Sequence, residues 1–213
     1  MAKRKTPEEE AARVRAMKDF DILNKHGNFL AGVDEAGRGP LAGPVFVAAV
    51  ILSDDVVIDG INDSKKLSER KREALFEMIK ERALAYCIFS VDQKEIDKIN
   101  ILQATFKAMR GAVSGLKVRP DYVLVDGDKS PGLDIAHETV VKGDSKSMSI
   151  AAASILAKVS RDRYMTEMAE IYPGYGFEKH KGYGTSAHYA AIRERGISEL
   201  HRKSFLKKIL QDG

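Results

Sequence analysis

The stretch of sequence that decides the fold runs from residue 29 to residue 40 and reads Phe29-Leu30-Ala31-Gly32-Val33-Asp34-Glu35-Ala36-Gly37-Arg38-Gly39-Pro40. It begins as a short apolar run typical of a buried strand and continues as a glycine-rich loop that opens on two carboxylates. Residues 45–52 form a nearly continuous run of Val, Ala and Ile, the pattern of a strand buried on both faces. The sequence therefore predicts two core strands, with acidic side chains at the end of the first.

Strands and helices alternate along the rest of the chain. Further strands are predicted at residues 84–91 and 122–125. Apolar residues spaced three and four apart predict helices, and Ser68 is the expected N-cap of one of them. The predicted helices span residues 7–23, 69–82, 94–113, 149–171, 186–195 and 203–210. The alternation indicates an α/β fold with a helical extension at its C-terminal end.

The chain of 213 residues is long enough for one α/β core with an appendage. We expect three parts: a polar and partly helical N-terminal extension over residues 1–28, a core over residues 29–170, and a helical C-terminal part over residues 171–213. Small residues open the helix predicted at residues 149–171, so we expect that helix to be central and to lie close to the sheet.

Composition excludes several classes of protein. Cys87 is the only cysteine, which rules out an internal disulfide framework and a cysteine-based zinc site. No apolar run approaches the roughly 18 residues of a membrane span, and the N-terminal residues lack the apolar segment of a signal peptide. We therefore expect a cytoplasmic protein. The net charge is only +4, but residues 179–213 hold eight basic and three acidic residues, which predicts a basic surface facing a polyanion, or else a solvated helix face.

Four carboxylates recur at predicted strand ends or just before a helix: Asp34, Glu35, Asp126 and Asp144. Ligands of open α/β sheets bind where strands end, and carboxylates gathered there repel one another unless a cation lies between them. Hard oxygen ligands of this kind suit Mg²⁺ or Mn²⁺. The alternative is that each aspartate only terminates a strand as a turn or cap residue. Since neighbouring strand residues face opposite sides, Asp34 and Glu35 share a site only if the strand ends or is bulged there.

The loop that begins with Gly37-Arg38-Gly39 does not fit a dinucleotide-binding motif. Its third glycine, Gly43, comes one residue too late for that motif, and a strand-like run follows it where the motif requires a helix. Its exposed backbone and guanidinium suit close contact with a sugar-phosphate chain, although for the loop taken alone a tight turn with a surface arginine is the favoured explanation. Lys65 and Lys66 are candidates for phosphate contact in a second loop, against a solvated loop as the alternative. Tyr183, flanked by glycines, is a candidate for stacking and for contact with a 2′-hydroxyl, against packing at a domain junction as the alternative.

Taken in order, these segments resemble the bacterial-type ribonuclease HII family. The resemblance extends from about residue 29 to residue 205, and each short motif is weak while the ordered set is specific. The matching segments begin with residues 32–44 and continue with Asp63-Ser64-Lys65-Lys66-Leu67, Val125-Asp126-Gly127, Lys142-Gly143-Asp144, residues 149–162, His180-Lys181-Gly182-Tyr183-Gly184-Thr185 and His201-Arg202-Lys203-Ser204-Phe205.

The resemblance implies a ribonuclease H-like mixed sheet flanked by helices, with residues 29–170 as the catalytic core and 171–213 as a substrate-binding part. It implies a monomeric endonuclease that cleaves the RNA strand of RNA–DNA hybrids and incises duplex DNA at embedded ribonucleotides, without a membrane partner. The acidic quartet, the Gly-Arg-Gly loop and the junction-sensing tyrosine of the family fall on Asp34, Glu35, Asp126, Asp144, Gly37, Arg38, Gly39 and Tyr183. Residues 1–28 have no assigned counterpart, and Asp128 stands where the family often carries Asn or Arg.

The chemistry expected from this set is two-metal phosphodiester hydrolysis with Mg²⁺ or Mn²⁺. Asp34, Glu35 and Asp126 are the expected principal ligands, and Asp144 is the fourth carboxylate, which we expect the nearby helix N-terminus to keep ionised. A nucleic-acid-binding module without catalysis is the main alternative, and a phosphatase acting on a small molecule is a weaker one. Strand scission that EDTA abolishes would distinguish the nuclease from a binding module.

Overall fold

A five-stranded mixed sheet lies at the centre of the protein, which is described here from a computed structural model covering residues 6–206. The strands are β1 (Leu30–Ala36), β2 (Val45–Ile51), β3 (Ala85–Val91), β4 (Tyr122–Asp126) and β5 (His137–Val140). Their order across the sheet is β3-β2-β1-β4-β5. β1, β2 and β3 pair antiparallel, whereas β4 is parallel to both β1 and β5.

Helices cover both faces of this sheet. They are α1 (Pro7–Leu23), α2 (Glu69–Arg82), α3 (Gln93–Ile99), α4 (Ile101–Ser114), α5 (Met148–Ile171), α6 (Phe177–His180) and α7 (Ser186–Arg195). The central helix α5 packs on β1 and β2 with α1 and α2 beside it, and α4 packs on β2 and β3 from the opposite face. The predicted α/β fold with a helical C-terminal part is confirmed.

The close approach of α5 to β1 depends on a glycine. A Cβ atom added to Gly32 would lie 2.2 Å from the backbone nitrogen of Ile150, so no other residue fits there without moving the helix. Ala151, Ala152 and Ala153 of the same helix are completely buried. The prediction of a central helix that opens on small residues is confirmed, and its consequence is that the first turns of α5 lie beside the acidic end of β1.

The prediction of one continuous helix over residues 94–113 is wrong, because this segment forms two helices, α3 and α4. The break falls at Asn100, whose φ of 67° is left-handed and whose side-chain oxygen accepts hydrogen bonds from the backbone nitrogens of Leu102 and Gln103. β5 was not predicted. Of the tail helix predicted at residues 203–210, only a 3-10 turn at Lys203–Phe205 is formed, and residues 207–210 lie outside the described part of the chain.

The N-terminal helix α1 is joined to the core. Val14 and Met17 are buried in the same apolar cluster as α5, and Asp21 accepts hydrogen bonds from the backbone nitrogen and hydroxyl of Ser149, both at 2.8 Å. The division of the chain at residue 28 stays a prediction. Within residues 6–206, no helix combines the length and the apolar character needed to cross a membrane.

Candidate active site

The strand register brings acidic residues from β1 and β4 together. β1 pairs with β4 in parallel only as far as Val33, which lies opposite Val125, so Asp34 and Asp126 are the next residues on the two strands. On its other edge β1 continues in regular antiparallel pairing to Ala36. β1 therefore neither ends nor is bulged at Asp34, and the expectation that Asp34 and Glu35 share a site only under that condition is wrong. Both belong to the regular strand and line the same cleft, beside the point where β4 ends at Asp126.

All four predicted carboxylates line one cleft of about 360 Å³ at this end of the sheet. The predicted residues that line it are Asp34, Glu35, Asp126, Asp144, Gly37, Arg38, Gly39, Lys65 and Tyr183, and Lys66 is the one that does not. Sequence reasoning missed four further polar residues of the lining, Ser64, Ser154, Lys158 and Arg161. Three of these, Ser154, Lys158 and Arg161, lie at spacings of four and three along α5, so a periodicity argument applied to that helix could have found them.

Asp34 is the most deeply buried of the four carboxylates. Burial raises its pKa well above the usual range, and the charges of Glu35 and Asp126 raise it further, while a hydrogen bond from Ser154 acts in the opposite direction. One carboxylate oxygen accepts a hydrogen bond from the backbone nitrogen of Glu35 at 2.7 Å. Ser154 is in turn 3.0 Å from the hydroxyl of Ser64, which ties α5 to the loop that carries Lys65.

Glu35 lies between the cleft and the neighbouring groove along α4, which both include it in their walls. Burial raises the pKa of Glu35, and Arg38, which donates a hydrogen bond to its carboxylate at 3.3 Å, lowers it. Arg38 is half-exposed, with 50% of its side chain accessible, so it remains available to solvent at the cleft entrance. The ion pair therefore holds the guanidinium at the mouth of the site without burying it.

Asp126 and Asp144 are joined through one short segment of backbone. The carboxylate of Asp126 accepts a hydrogen bond of 2.6 Å from the backbone nitrogen of Gly143, in the 3-10 turn Gly143–Ser145 that carries Asp144. Burial raises the pKa of both carboxyls. The negative charges of Asp63 and Asp126 raise the pKa of Asp144 further. The expectation that the nearby helix N-terminus keeps Asp144 ionised stays a prediction.

The two candidate lysines differ in position. Lys65 lines the cleft, and its charge lowers the pKa of Glu35, Asp126 and Asp144. Lys66 lies outside the cleft, is 62% exposed and forms an ion pair of 3.4 Å with Asp63. Asp63 also caps the 3-10 turn Ser64–Lys66, because its carboxylate accepts a hydrogen bond of 2.9 Å from the backbone nitrogen of Lys65. Both lysines lower the pKa of Asp144, but of the two only Lys65 lines the cleft.

Two buried arginines hold the Gly-Arg-Gly loop from behind. Arg202 donates hydrogen bonds to the backbone oxygens of Gly37, Arg38 and Gly43 at 2.6, 2.9 and 2.8 Å. Burial lowers the pKa of Arg202 to about 9 and that of Arg161 to about 10. The loop is thus fixed through its carbonyl groups, which leaves its opposite edge directed at the cleft.

Arg161 holds the adjoining backbone in the same way, through hydrogen bonds to carbonyl oxygens. It donates to the carbonyl oxygens of Pro44, Ala42 and Lys181 at 3.1, 3.1 and 3.0 Å. Gly37 has a φ of +99°, and a Cβ atom there would lie 2.1 Å from the Arg161 side chain, so this position requires glycine for both reasons. The arginines therefore connect the core loop to the C-terminal part.

Tyr183 closes the cleft on the C-terminal side. Its ring is 44% exposed, and a Cβ atom on Gly39 would meet it at 3.7 Å, an ordinary contact. The Arg161 guanidinium lies 6.0 Å from the centre of the ring. A partly exposed aromatic ring beside a glycine backbone presents a flat apolar face and a hydroxyl group to whatever enters the cleft.

The donor chemistry of the cleft fits a hard divalent cation. Its acidic residues offer only carboxylate oxygens, and their mutual repulsion is the condition that a cation relieves. Over residues 6–206, however, no group of three or more His, Cys, Asp or Glu side chains is arranged to hold an ion by itself. Mg²⁺ is usually bound by one or two carboxylates together with waters and substrate phosphates, so an open arrangement of this kind is compatible with it.

Comparisons with known proteins agree with this geometry. The family model for Ribonuclease HII matches residues 31–208. The chain is 59% identical to Ribonuclease HII of Clostridioides difficile over 85% of this chain and 71% of that protein. It is 56% identical to Ribonuclease HII of Caldicellulosiruptor saccharolyticus over 90% and 93% of the two chains. The crystal structure of ribonuclease H2 from Pyrococcus horikoshii superposes with a TM-score of 0.69 at 28% identity, covering 83% of this chain and 93% of that one.

Proposed function

Because this chain belongs to the ribonuclease HII family, we propose that it incises duplex DNA at embedded ribonucleotides as well as cleaving RNA–DNA hybrids, by two-metal-ion hydrolysis that leaves 3′-hydroxyl and 5′-phosphate ends. Members of the family are metal-dependent type 2 ribonuclease H endonucleases, so the chain is an endonuclease that acts on the RNA of RNA–DNA hybrids. Its action as a cytoplasmic monomer stays a prediction.

One observation supports the proposal above the others. Four carboxylates from three separate segments line the same cleft as Lys65, the Gly-Arg-Gly loop and Tyr183. A protein that only binds nucleic acid gains nothing from clustered acids, because they repel the phosphate backbone. Acids and cations in one cleft are instead what phosphodiester cleavage requires, since the acids hold metal ions and the cations and backbone hold substrate.

The residues would divide the reaction among them. Asp34, Glu35, Asp126 and Asp144 would hold two divalent cations, which supply an activated water and stabilise the leaving 3′-oxygen. Burial shields the carboxylate of Asp34 from water and raises its pKa. A bound cation would favour the ionised form of this carboxylate. Lys65 is placed to neutralise phosphate charge at the same edge of the cleft.

Recognition of RNA would come from the opposite wall. The 2′-hydroxyl distinguishes a ribonucleotide from a deoxyribonucleotide. The backbone of the loop at residues 37–39 faces the cleft without an obstructing side chain at either glycine, and the Tyr183 ring lies against Gly39. We assign reading of the 2′-hydroxyl to this loop and stacking on the junction nucleotide to the tyrosine, because both line the cleft and a Cβ atom built on Gly39 would lie 3.7 Å from the tyrosine ring.

Cleavage of a labelled DNA duplex carrying one ribonucleotide tests the proposal. We expect one incision at the ribonucleotide with Mg²⁺ or Mn²⁺ and none with EDTA. Asp126→Asn should lower the cleavage rate by at least about a thousandfold, because it removes a charged ligand. Asp134→Asn, the same change at an exposed aspartate away from the cleft, should cleave at the wild-type rate. Scission that persists in EDTA would refute the metal-dependent mechanism.

The role of the tyrosine needs a second comparison. Tyr183→Ala should reduce cleavage at a single ribonucleotide more strongly than cleavage of an all-RNA strand in a hybrid, since the single site offers only one junction to read. Tyr172→Ala, in the same C-terminal part but outside the cleft lining, is the matched control. Equal losses on both substrates would show that Tyr183 supports the fold without reading the junction.

A further inference from the structure

Three histidines form a cluster behind Tyr183, outside the cleft. The rings of His180 and His188 stack at 4.4 Å between centroids, and the Nε2 atoms of His188 and His201 are 3.1 Å apart. His188 and His201 are fully buried, at 0% and 2% exposure, and all three rings pack against Phe177. The matching sequence segments contain His180 and His201 but not His188, and the proposed reaction uses none of the three.

The backbone partners of two of these rings fix where their protons lie. The Nδ1 atom of His201 is 2.9 Å from the backbone nitrogen of Ser198, which can only donate, so that Nδ1 is an acceptor. The Nδ1 atom of His188 is 2.9 Å from the carbonyl oxygen of Tyr183, which can only accept, so that Nδ1 carries a proton. In neutral rings, the remaining Nε2 of His201 then donates to the Nε2 of His188.

The third ring is fixed by the same reasoning. The Nδ1 atom of His180 accepts from the backbone nitrogen of Gly182 at 3.2 Å, and its Nε2 atom donates to the carbonyl oxygen of Tyr175 at 2.7 Å. The hydrogen bonds around all three rings are therefore mutually consistent with one arrangement of neutral tautomers. A proton added to any ring would remove an acceptor that a neighbouring N–H now uses.

These hydrogen bonds converge on the backbone that carries Tyr183. One histidine holds the amide of Gly182 and another holds the carbonyl of Tyr183, on either side of the tyrosine Cα atom. The carbonyl of Gly182 accepts from the backbone nitrogen of Leu41 at 2.8 Å, which links the same segment to the residues that follow the Gly-Arg-Gly loop. The histidine cluster thus determines where the tyrosine ring stands relative to that loop.

We propose that His180, His188 and His201 are positioning residues, acting as one chain of neutral rings that sets the Tyr183 backbone for recognition of the ribonucleotide junction. The inference rests on the proposed function for the role of Tyr183, but the chain of neutral rings does not. The cluster touches none of the cleft-lining acids and leaves their chemistry unchanged.

Burial supports the neutral state. It lowers the pKa of His188 and lowers the pKa of His201 to about 4. The other histidines of the cluster face these two rings and oppose protonation further, and the ring of Tyr175 lies 5.1 Å from that of His201. Since the folded pKa lies below the ordinary value of 6.5, the stability contributed by the neutral rings is complete above about pH 6.5 and is lost as the pH falls toward 4.

Nuclear magnetic resonance of the imidazole nitrogens tests the arrangement directly in the full-length, metal-free protein. At pH 6 we expect His188 to show the Nδ1–H pattern and His201 the Nε2–H pattern, each neutral, with the signals of exposed His26 recorded beside them as a reference. Doubly protonated shifts at His188 or His201 at pH 6, or the opposite tautomers, would overturn the proposal. The measurement uses no substrate, so its outcome is independent of the proposed nuclease activity.

Variants test the link to Tyr183. His201→Leu should lower cleavage at a single ribonucleotide about tenfold at pH 7.5, and in a Tyr183→Ala background the same change should have little further effect, because the residue it positions is gone. His201→Gln keeps an N–H donor toward His188 without titrating and should retain near-normal cleavage. His26→Leu is the matched control.

Thermal unfolding of each variant accompanies the rates, so that loss of folded protein is separated from loss of positioning. An equal loss for His201→Leu with and without Tyr183 would refute positioning and assign the cluster a purely structural role. A Tyr183→Ala enzyme that cleaves at a single ribonucleotide at the wild-type rate would instead refute the reading role of Tyr183, and with it the positioning role of the histidines. The tautomers measured by nuclear magnetic resonance would not be affected by that result.

Discussion

Arg202 provides the sharpest test of how the substrate-reading loop is held. Its guanidinium donates to three backbone oxygens, those of Gly37, Arg38 and Gly43, at 2.6 to 2.9 Å, and the residue is completely buried. Arg202→Met has a similar length and removes all three donors while adding no polar group. The substitution therefore isolates the hydrogen bonds from the volume of the side chain.

The expected cost follows from the three carbonyl groups left behind. An unsatisfied buried carbonyl costs about 1–3 kcal/mol, and water reaching the loop from the cleft side favours the lower figure. Against this, the variant no longer buries a charge. Burial of the charged guanidinium is unfavourable, and for that reason it lowers the pKa of Arg202 to about 9. We therefore expect a net loss of about 3 kcal/mol in the free energy of unfolding, which lowers Tm by roughly 6–12 °C for a domain of this size.

Calorimetry of the metal-free protein measures this loss. Arg195→Met is the control, because Arg195 is half-exposed and pairs only with Glu194 at 3.3 Å among the described residues, so it should change stability by less than about 0.5 kcal/mol. Arg202→Lys, which can reach one of the carbonyls, should recover about a third of the loss. An Arg202→Met protein as stable as the control would show that the loop does not depend on these hydrogen bonds.

Three further predictions concern other parts of the molecule. Asp34→Asn should abolish cleavage yet stabilise the metal-free protein by about 1 kcal/mol at pH 7, because a carboxyl whose folded pKa is raised destabilises the fold once ionised. The stability advantage of this variant over the wild type should accordingly shrink as the pH falls from 7, and denaturant titrations of both proteins at several pH values check this. Lys65→Ala should lower the cleavage rate about tenfold and Lys66→Ala less than twofold, since only Lys65 lines the cleft; equal effects in steady-state assays would contradict this. Asp21→Ala should cost about 1–2 kcal/mol and Asp21→Asn much less, because the amide oxygen can still cap Ser149, and thermal unfolding distinguishes them.

Local patterns in the sequence were sufficient wherever a local interaction determines the structure. The helix Glu69–Arg82 begins and ends as predicted, because Ser68 caps it and its apolar face is regular. The break at Asn100 could not be read from the apolar stripe, which continues through both helices. β5 has only four residues, three of them only half-buried, so it carries no strong strand pattern and depends on pairing with β4.

The candidate site shows the same division. The acids were predictable because four carboxylates recur at strand ends or just before a helix, and the structure brings all four to one cleft, although their role as ligands stays a prediction. The buried arginines were not predictable, because their partners are backbone carbonyls distant in sequence and leave no signature. Arg202 belongs to the basic tail that the sequence assigned to a polyanion surface, yet it is buried and serves the fold.

The charges of the site are unfavourable until a ligand arrives. On one wall, carboxylates with raised pKa values face one another. Behind the opposite wall, Arg161 and Arg202 are buried close enough that Arg161 lowers the pKa of Arg202, and neither forms an ion pair within residues 6–206. Divalent cations would neutralise the first group, and a phosphodiester backbone beside the second would meet a positive potential. Binding of metal alone should therefore stabilise the protein less than binding of metal and substrate together, because each ligand relieves only one of the two repulsions.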